Sequence, residues 1–182
     1  MEYSMVLAGF GGQGVLLAGQ LIAEAGMQKD KNVSWMPSYG PEMRGGSANC
    51  AVIVSDERIG TPMVANPDIL VAMNLPSLTL FEDSVKEGGY LIYNSSLIEQ
   101  GPTRTDVKVL PIPFNDIAAE LGNPKTVNMP IIGSVMEIVK FFGVEDIEKI
   151  MFEKFGEKRK AIIELNVKAI EKGKHIVRDE LK

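Results

Sequence analysis

The chain has 182 residues, of which 45% are hydrophobic and 24% charged, the balance of an ordinary globular domain rather than of a disordered segment. Its formal net charge of −5 argues against a nucleic-acid scaffold, which normally presents a basic face. With one cysteine, Cys50, and one histidine, His175, it lacks the ligands of a zinc site or an iron–sulfur cluster, so electron carriers for any redox chemistry would lie on other chains.

The N-terminal segment predicts a strand, a glycine loop and a helix. Residues 5–9 form a short apolar run that is typical of a buried strand. Apolar residues then recur at helical spacing from Val15 to about Met27. This order is the opening of a βαβ unit, and a second strand is expected over residues 31–36, ended by Pro37.

Strands and helices alternate through the middle of the chain, and the last third is helical. Further strands are predicted over residues 48–55, 59–64, 68–73, 90–94 and 107–112. Helices are predicted over residues 76–86, 115–121, 129–142, 145–155 and 158–172. The alternation indicates an α/β fold: a Rossmann-like, doubly wound, mostly parallel sheet with helices on both faces and a helical C-terminal third.

No linker divides the chain, so we expect one domain over residues 1–182. No apolar stretch approaches the length of a membrane span and no signal peptide is visible, which favours the cytoplasm. Cys50 falls in the strongest predicted strand and is expected to be a core residue, while His175 and the basic residues Lys154, Lys158, Arg159 and Lys160 are expected on solvated surfaces.

GFGGQG, residues 9–14, fits the pattern G-x-G-x-x-G between a predicted strand and a predicted helix. Glycines permit the tight turn, and the helix N-terminus offers N–H groups to an anion. A nicotinamide-dependent oxidoreductase would carry an acid or an arginine at the end of the second strand, where this chain has Ser34, Trp35 and Met36. Anion binding and a purely structural tight turn remain alternatives, and dinucleotide binding is disfavoured.

A second loop, PSYGPEMRGG, occupies residues 37–46. Because the carboxyl ends of strands in a doubly wound sheet meet at one edge, we expect this loop to lie near the glycine loop. Arg44 can hold a phosphate or carboxylate in a bidentate manner, and Gly45 and Gly46 allow another backbone to approach. The alternative is an ion pair between Glu42 and Arg44 that fixes the loop to itself.

Together, GFGGQG and PSYGPEMRGG resemble the gamma subunit of 2-oxoacid:ferredoxin oxidoreductases, also called the pyruvate/ketoisovalerate oxidoreductase catalytic domain. The resemblance spans nearly the whole chain. It continues through SANCAVIVS (47–55), NPD (66–68), AMN (72–74), NSS (94–96), NMP (128–130) and Gly133. The form PSYGPEMRGG is most similar to the 2-oxoglutarate branch.

The resemblance implies oxidative decarboxylation of a 2-oxoacid with coenzyme A (CoA), giving acyl-CoA, carbon dioxide and reduced ferredoxin. It also implies that thiamine diphosphate, Mg and the iron–sulfur clusters lie on alpha, beta and delta subunits. This chain would then carry no cofactor, and alone it would be inactive. The expected partners are those subunits, with ferredoxin as electron acceptor and neither nucleic acid nor membrane; an isolated chain is also expected to be able to form a homodimer.

On this resemblance the chain would shape the CoA side of the active-site cleft, with no catalytic or metal-binding residue of its own. The residues expected on the ligand side are Gly11, Gly12, Gln13, Gly14 and Arg44. Those expected at the subunit interface are Tyr39, Pro41, Glu42, Met43, Arg44, Gly45 and Gly46. Two alternatives remain: a free-standing Rossmann-like module that binds a nucleotide or another anion, and a structural subunit without ligand contact.

Overall fold

The computed structural model describes residues 1–39 and 46–182, and of Tyr39 the backbone alone. The strands are β1 Glu2–Phe10, β2 Asn32–Tyr39, β3 Ser47–Ser55, β4 Ile69–Ala72, β5 Tyr90–Asn94 and β6 Lys108–Ile112. The helices are α1 Val15–Gln28, α2 Leu75–Phe81, α3 Phe114–Glu120, α4 Met129–Val139, α5 Val144–Phe155 and α6 Lys160–Glu180. The strands form one sheet in the order β2-β3-β1-β4-β5-β6.

The predicted α/β fold is confirmed, and its sheet is mixed. β1, β4, β5 and β6 are parallel neighbours, whereas β3 is antiparallel to both β1 and β2. Residues 40–46, which connect β2 to β3, are too few for a crossover, so β3 must run back along β2. β3 therefore lies between β1 and β2, and β2 still runs in the same direction as β1.

Two strand predictions were wrong. Residues 59–64 form no strand, because Pro62 has no N–H for a ladder and Gly60 weakens an extended segment. β2 does not end before Pro37 but continues to Tyr39, with Pro37 opposite Cys50. A proline is tolerated there because β2 is an edge strand, which forms a ladder on one side alone.

Three helix boundaries also differ from the predicted ones. α6 continues to Glu180 rather than to residue 172, because Ile176 and the buried Val177 extend its apolar stripe. The predicted helix over residues 76–86 is the shorter α2 followed by a 3₁₀ turn over Glu82–Ser84. α4 ends at Val139, where Lys140 adopts a φ of 54°.

The two faces of the sheet are covered unequally. The larger core packs one face against α1 and α3–α6. The other face presents Val6, Ala8, Leu70 and Leu91, which pack against Leu78 of α2. Among residues 1–39 and 46–182, no helix is both long and apolar enough to cross a membrane.

α4 and α6 cross with their backbones in contact. A Cβ atom added to Gly133 of α4 would lie 1.9 Å from the Ile170 carbonyl oxygen. One added to Gly173 of α6 would lie 2.2 Å from the Pro130 carbonyl oxygen. α4 buries all of its eleven residues except Glu137, so the crossing lies in the main core, where neighbours have little room to move.

We predict that Gly133→Ala lowers the free energy of unfolding by at least about 3 kcal/mol, or prevents folding, because its new methyl group meets backbone rather than a mobile side chain. The helix-propensity gain of about 1 kcal/mol for alanine over glycine is too small to offset this clash. Urea unfolding followed by circular dichroism measures the change. Gly60→Ala is the control: no atom lies within 4 Å of its added Cβ, and its effect should stay within about 0.5 kcal/mol. Equal stabilities for the two variants would contradict the backbone contact.

Candidate functional site

The glycine loop between β1 and α1 lies at the edge of the sheet where the parallel strands end. Gly12 and Gly14 have φ angles of 103° and 73°, in the left-handed region that an L side chain occupies only with strain. The Gly11 N–H donates to the Gly46 carbonyl oxygen at 2.9 Å. This bond joins the glycine loop to the last residue of the loop between β2 and β3.

The Gln13 side chain fixes the glycine loop to the protein interior. Its Oε1 accepts hydrogen bonds from the Phe10 N–H at 2.7 Å and from Asn74 Nδ2 at 3.1 Å. Its Nε2 donates to the Met73 carbonyl oxygen at 3.2 Å. Three of the four hydrogen bonds that a side-chain amide can make are therefore internal, and Gln13 offers a ligand mainly its backbone.

Further amide side chains lie along the same edge. We call Gln13, Asn74, Asn94, Asn115 and Asn128 the carboxamide cluster. Asn94 is fully buried and its Nδ2 donates to the Met73 carbonyl oxygen at 3.2 Å and to Asn115 Oδ1 at 2.8 Å. Asn74 also accepts the Ser77 N–H at 2.9 Å and so caps α2. The cluster connects the ends of β1, β4 and β5 through uncharged groups that both donate and accept.

Asn128 connects the glycine loop to the start of α4. Its Nδ2 donates to the Gly14 carbonyl oxygen at 3.3 Å. A Cβ atom at Gly14 would lie 2.7 Å from Cγ of Asn128, so glycine is required here by close packing as well as by its φ angle. The glycine loop is thus held from the sheet by Gln13 and from α4 by Asn128.

A cleft of about 370 Å³, which we call the glycine-loop cleft, opens between this loop and the ends of α4, α5 and α6. Its lining includes Gly12, Gln13, Gly14, Leu17, Lys125, Asn128, Phe155, Arg159, Ile162 and Asn166. Lys125 and Arg159 are the charged residues of this lining, and both are basic. In a chain whose net charge is −5, this concentrates positive charge beside a helix N-terminus, an arrangement suited to an anion.

A second groove, of about 420 Å³, lies on the opposite face of the sheet beside α2. Its charged lining residues are Glu82 and Glu99, and its lining contains no basic residue. This groove is therefore unsuited to an anion and lies away from the glycine loop.

The structure brings together the predicted ligand-side residues Gly11, Gly12, Gln13 and Gly14, and places Gly46 beside them. Tyr39 ends β2, the edge strand, opposite Ala48 of β3, so β3 separates it from β1 and the glycine loop. The remaining predicted residues lie outside the described part of the chain: Pro41, Glu42, Met43, Arg44 and Gly45.

The two basic residues of the glycine-loop cleft were missed as site residues by the sequence analysis. Lys125 lies in a 3₁₀ turn before α4, and Arg159 lies in another before α6. Arg159 is exposed, as expected, yet it also borders the cleft. Neither residue belongs to a local motif, and the packing of α4 against α6 brings both to the lining of the glycine-loop cleft.

The remaining candidates for chemistry lie away from this cleft. Cys50 is fully buried, and burial raises the pKa of its thiol to about 12. His175 is exposed, with Nε2 3.6 Å from Glu171 Oε2. Among the described residues, no group of three or more histidine, cysteine or acidic side chains is placed to hold a metal ion. Cys50 is therefore a core residue and His175 a surface residue, as predicted.

Comparison with known proteins identifies relatives over nearly the full chain. The family model described as pyruvate ferredoxin/flavodoxin oxidoreductase matches residues 4–176. Ketoisovalerate oxidoreductase subunit VorA of Methanothermobacter marburgensis is 36% identical over 99% of this chain, which spans 37% of that relative's length. 2-Oxoglutarate synthase subunit KorC of Methanocaldococcus jannaschii is 33% identical over 98% of this chain and 96% of the relative.

Two solved structures share the fold. The gamma subunit of keto/oxoacid ferredoxin oxidoreductase from Geobacter sulfurreducens superposes with a TM-score of 0.83 at 28% identity, covering 98% of each chain. The 2-oxoglutarate:ferredoxin oxidoreductase of Magnetococcus marinus, solved with 2-oxoglutarate, coenzyme A and succinyl-CoA bound, gives a TM-score of 0.90 at 24% identity. This chain covers 31% of that larger chain, and the likeness to it establishes the fold.

We predict that the native Cys50 thiol resists alkylation and disulfide exchange at pH 8. With a pKa of about 12, roughly one thiol in ten thousand is ionised at that pH, and the group is also shielded from reagent. Reaction with Ellman's reagent should be at least about 100-fold slower for the folded chain than in denaturing urea. The Cys50→Ser variant serves as the zero-thiol control. Equal rates with and without urea would contradict a buried, protonated thiol.

Proposed function

Because the chain belongs to the pyruvate ferredoxin/flavodoxin oxidoreductase family, we propose that it is the gamma subunit of a 2-oxoacid:ferredoxin oxidoreductase. The observation that carries this proposal is the match over 98% of both chains to a gamma subunit of that enzyme class. The complex would convert a 2-oxoacid, CoA and oxidised ferredoxin to acyl-CoA, carbon dioxide and reduced ferredoxin. The chain spans about a third of the length of the larger relatives.

The proposed substrate is 2-oxoglutarate. PSYGPEMRGG, which resembles the 2-oxoglutarate branch, and the KorC relative of matching length both support it. The ketoisovalerate relatives are of similar identity, 36% and 37%, and make 2-oxoisovalerate the competing substrate.

The proposed division of labour places thiamine diphosphate, Mg and the iron–sulfur clusters on alpha, beta and delta subunits. A cluster usually needs four cysteine thiolates, whereas this chain has one, which is buried and protonated. The residues of this chain therefore do not fit an iron–sulfur cluster, and the chemistry of this subunit would be binding and positioning. Alone, it would not turn over substrate.

We place the glycine loop and Arg44 on the CoA side of the active-site cleft. CoA is an anion, and Gly12, Gln13 and Gly14 line a cleft whose charged residues are basic. The hydrogen bond from Gly11 to Gly46 supports a position of the end of the second loop beside the glycine loop. We propose that the second loop lies at the boundary with a partner subunit. Gln13 would act there by holding the loop in shape, so that backbone N–H groups rather than its side chain face the anion.

The first experiment is to tag this chain, recover it from its native cells without oxygen, and test the eluate for CoA-dependent reduction of a viologen dye. The panel of acids comprises 2-oxoglutarate, 2-oxoisovalerate, pyruvate and indolepyruvate. We expect larger partner chains in the eluate and the highest rate with 2-oxoglutarate. A higher rate with 2-oxoisovalerate would overturn the substrate, and a lone, inactive chain would overturn the proposal in favour of a free-standing anion-binding module.

We further predict that Arg44→Ala raises the KM for CoA by about tenfold in the assembled complex, because it removes a charge-assisted hydrogen bond to an anionic group. Viologen reduction at varied CoA concentration measures this change, with assembly checked by gel filtration. Arg58→Ala is the matched control, since Arg58 is exposed and follows β3 at the opposite edge of the sheet. An unchanged KM for CoA with intact assembly would leave Arg44 a packing role.

A further inference from the structure

The groove beside α2, which we call the α2 groove, lies on the thinly covered face of the sheet. α1 and α3–α6 pack on the other face, whereas this face is covered by α2, a helix of seven residues. Leu75 and Leu97 line the groove and are 53% and 51% exposed, and Leu80 of α2 is 68% exposed. Large apolar side chains clustered in and beside one groove are typical of a surface that another molecule covers.

Two acids of the α2 groove have no cationic partner in the described part of the chain. Within residues 1–39 and 46–182, neither Glu82 nor Glu99 has a carboxylate oxygen within 4.0 Å of a lysine, arginine or histidine nitrogen. The Glu82 Oε2 is buried and accepts no hydrogen bond from those residues. A buried carboxylate oxygen without a donor is destabilising, so a donor supplied by another molecule is favourable there.

Arg104, which follows the groove residue Thr103, is committed to other acceptors. Its Nε donates to Asp106 Oδ1 at 2.9 Å, and its Nη2 donates to the other oxygen of the same carboxylate. Its Nη1 donates to the carbonyl oxygens of Glu82 and Val85, at 2.8 Å each. These four hydrogen bonds leave at most one N–H of the guanidinium group, so the α2 groove keeps its acidic character.

The α2 groove begins at the sheet edge that carries the glycine loop. Leu75, the first residue of α2, follows Asn74, whose Nδ2 donates to Gln13 Oε1 at 3.1 Å. A subunit that covers the glycine-loop edge can therefore extend over α2 without a break. A second copy of this chain related by a two-fold axis through the groove would bring the same acids together, and like charges across an interface oppose association.

We propose that the α2 groove is a docking surface for a partner subunit of the oxidoreductase, which packs apolar side chains on the exposed leucines and brings a lysine or arginine to Glu82 and Glu99. The proposal deepens the proposed function and rests on it for the identity of the partner. The chemistry of the partner surface, a cation flanked by apolar groups, follows from the groove itself. Such a cation also fixes the register of the two chains.

Co-purification tests the proposal. The tagged full-length chain is produced in its native cells, and the ratio of partner chains to tagged chain is measured in the oxygen-free eluate. Leu97→Glu places a charge in the apolar part of the groove, and Glu99→Lys reverses a charge that attracts the partner's cation. We expect each variant to lower the ratio at least about fivefold.

Met27→Glu and Glu164→Lys are the matched controls for these two variants. Both positions are exposed and lie on α1 and α6, helices of the other face, so both variants should keep the wild-type ratio. Thermal unfolding of the isolated chains, expected to be the same for all four variants, separates loss of docking from loss of folding.

Hydrogen exchange of the wild-type protein is an independent measurement. Amides of residues 75–81 and 97–103 should exchange at least about tenfold more slowly in the assembled complex than in the isolated chain. Equal exchange in the two states, or the wild-type ratio in both groove variants, overturns the proposal. Self-association of the isolated chain that Leu97→Glu abolishes assigns the groove to a second copy and also overturns it.

Failure of this docking surface and failure of the proposed function give different results. Absence of partner chains from the wild-type eluate overturns the proposed function and the docking surface with it. Recovery of partner chains with the wild type and with both groove variants alike overturns the docking surface alone.

Discussion

The arrangement of the site depends on one steric constraint, the backbone contact between α4 and α6. Glycine at 133 and at 173 lets the two helices approach until a Cβ atom on one would overlap a carbonyl oxygen of the other. That approach fixes the positions in space of the first turns of α4 and α6 relative to each other. The start of α4 carries Asn128, which binds the glycine loop, and the 3₁₀ turn before α6 carries Arg159. The glycine-loop cleft and the main core therefore both depend on the packing of the same pair of helices.

The carboxamide cluster binds the buried backbone groups at the carboxyl ends of the parallel strands without adding charge there. Strand ends expose carbonyl oxygens and N–H groups that must be paired when buried, as the Met73 carbonyl oxygen is by Gln13 and Asn94. Carboxylates would supply acceptors alone and would place negative charge beside the N-terminus of α1. Amides supply both donors and acceptors and remain neutral, so they add no negative charge beside the N-terminus of α1.

The sequence predicted those parts of the molecule that local patterns determine. Apolar spacing and the positions of glycines predict the strand, glycine loop and helix at the N-terminus, and they also predict β3 and the buried α4. They do not predict the direction of β3, the length of α6 or the glycine-loop cleft, because these features depend on packing between distant segments. Lys125 and Arg159 are 34 positions apart and have no shared motif, and both line the glycine-loop cleft because α4 packs against α6.

The missing acid after β2 also has a topological cause. In a sheet where β2 is the direct neighbour of β1, a side chain at the end of β2 lies about 5 Å from the glycine loop's strand and can reach a ribose there. Here β3 intervenes, so β2 is two strand spacings away, or about 10 Å, and an acid at its end would fall short. Polar contacts to a group bound at this loop would have to come from the other side of α1. That side is formed by α4 and α6, where Lys125 and Arg159 line the glycine-loop cleft.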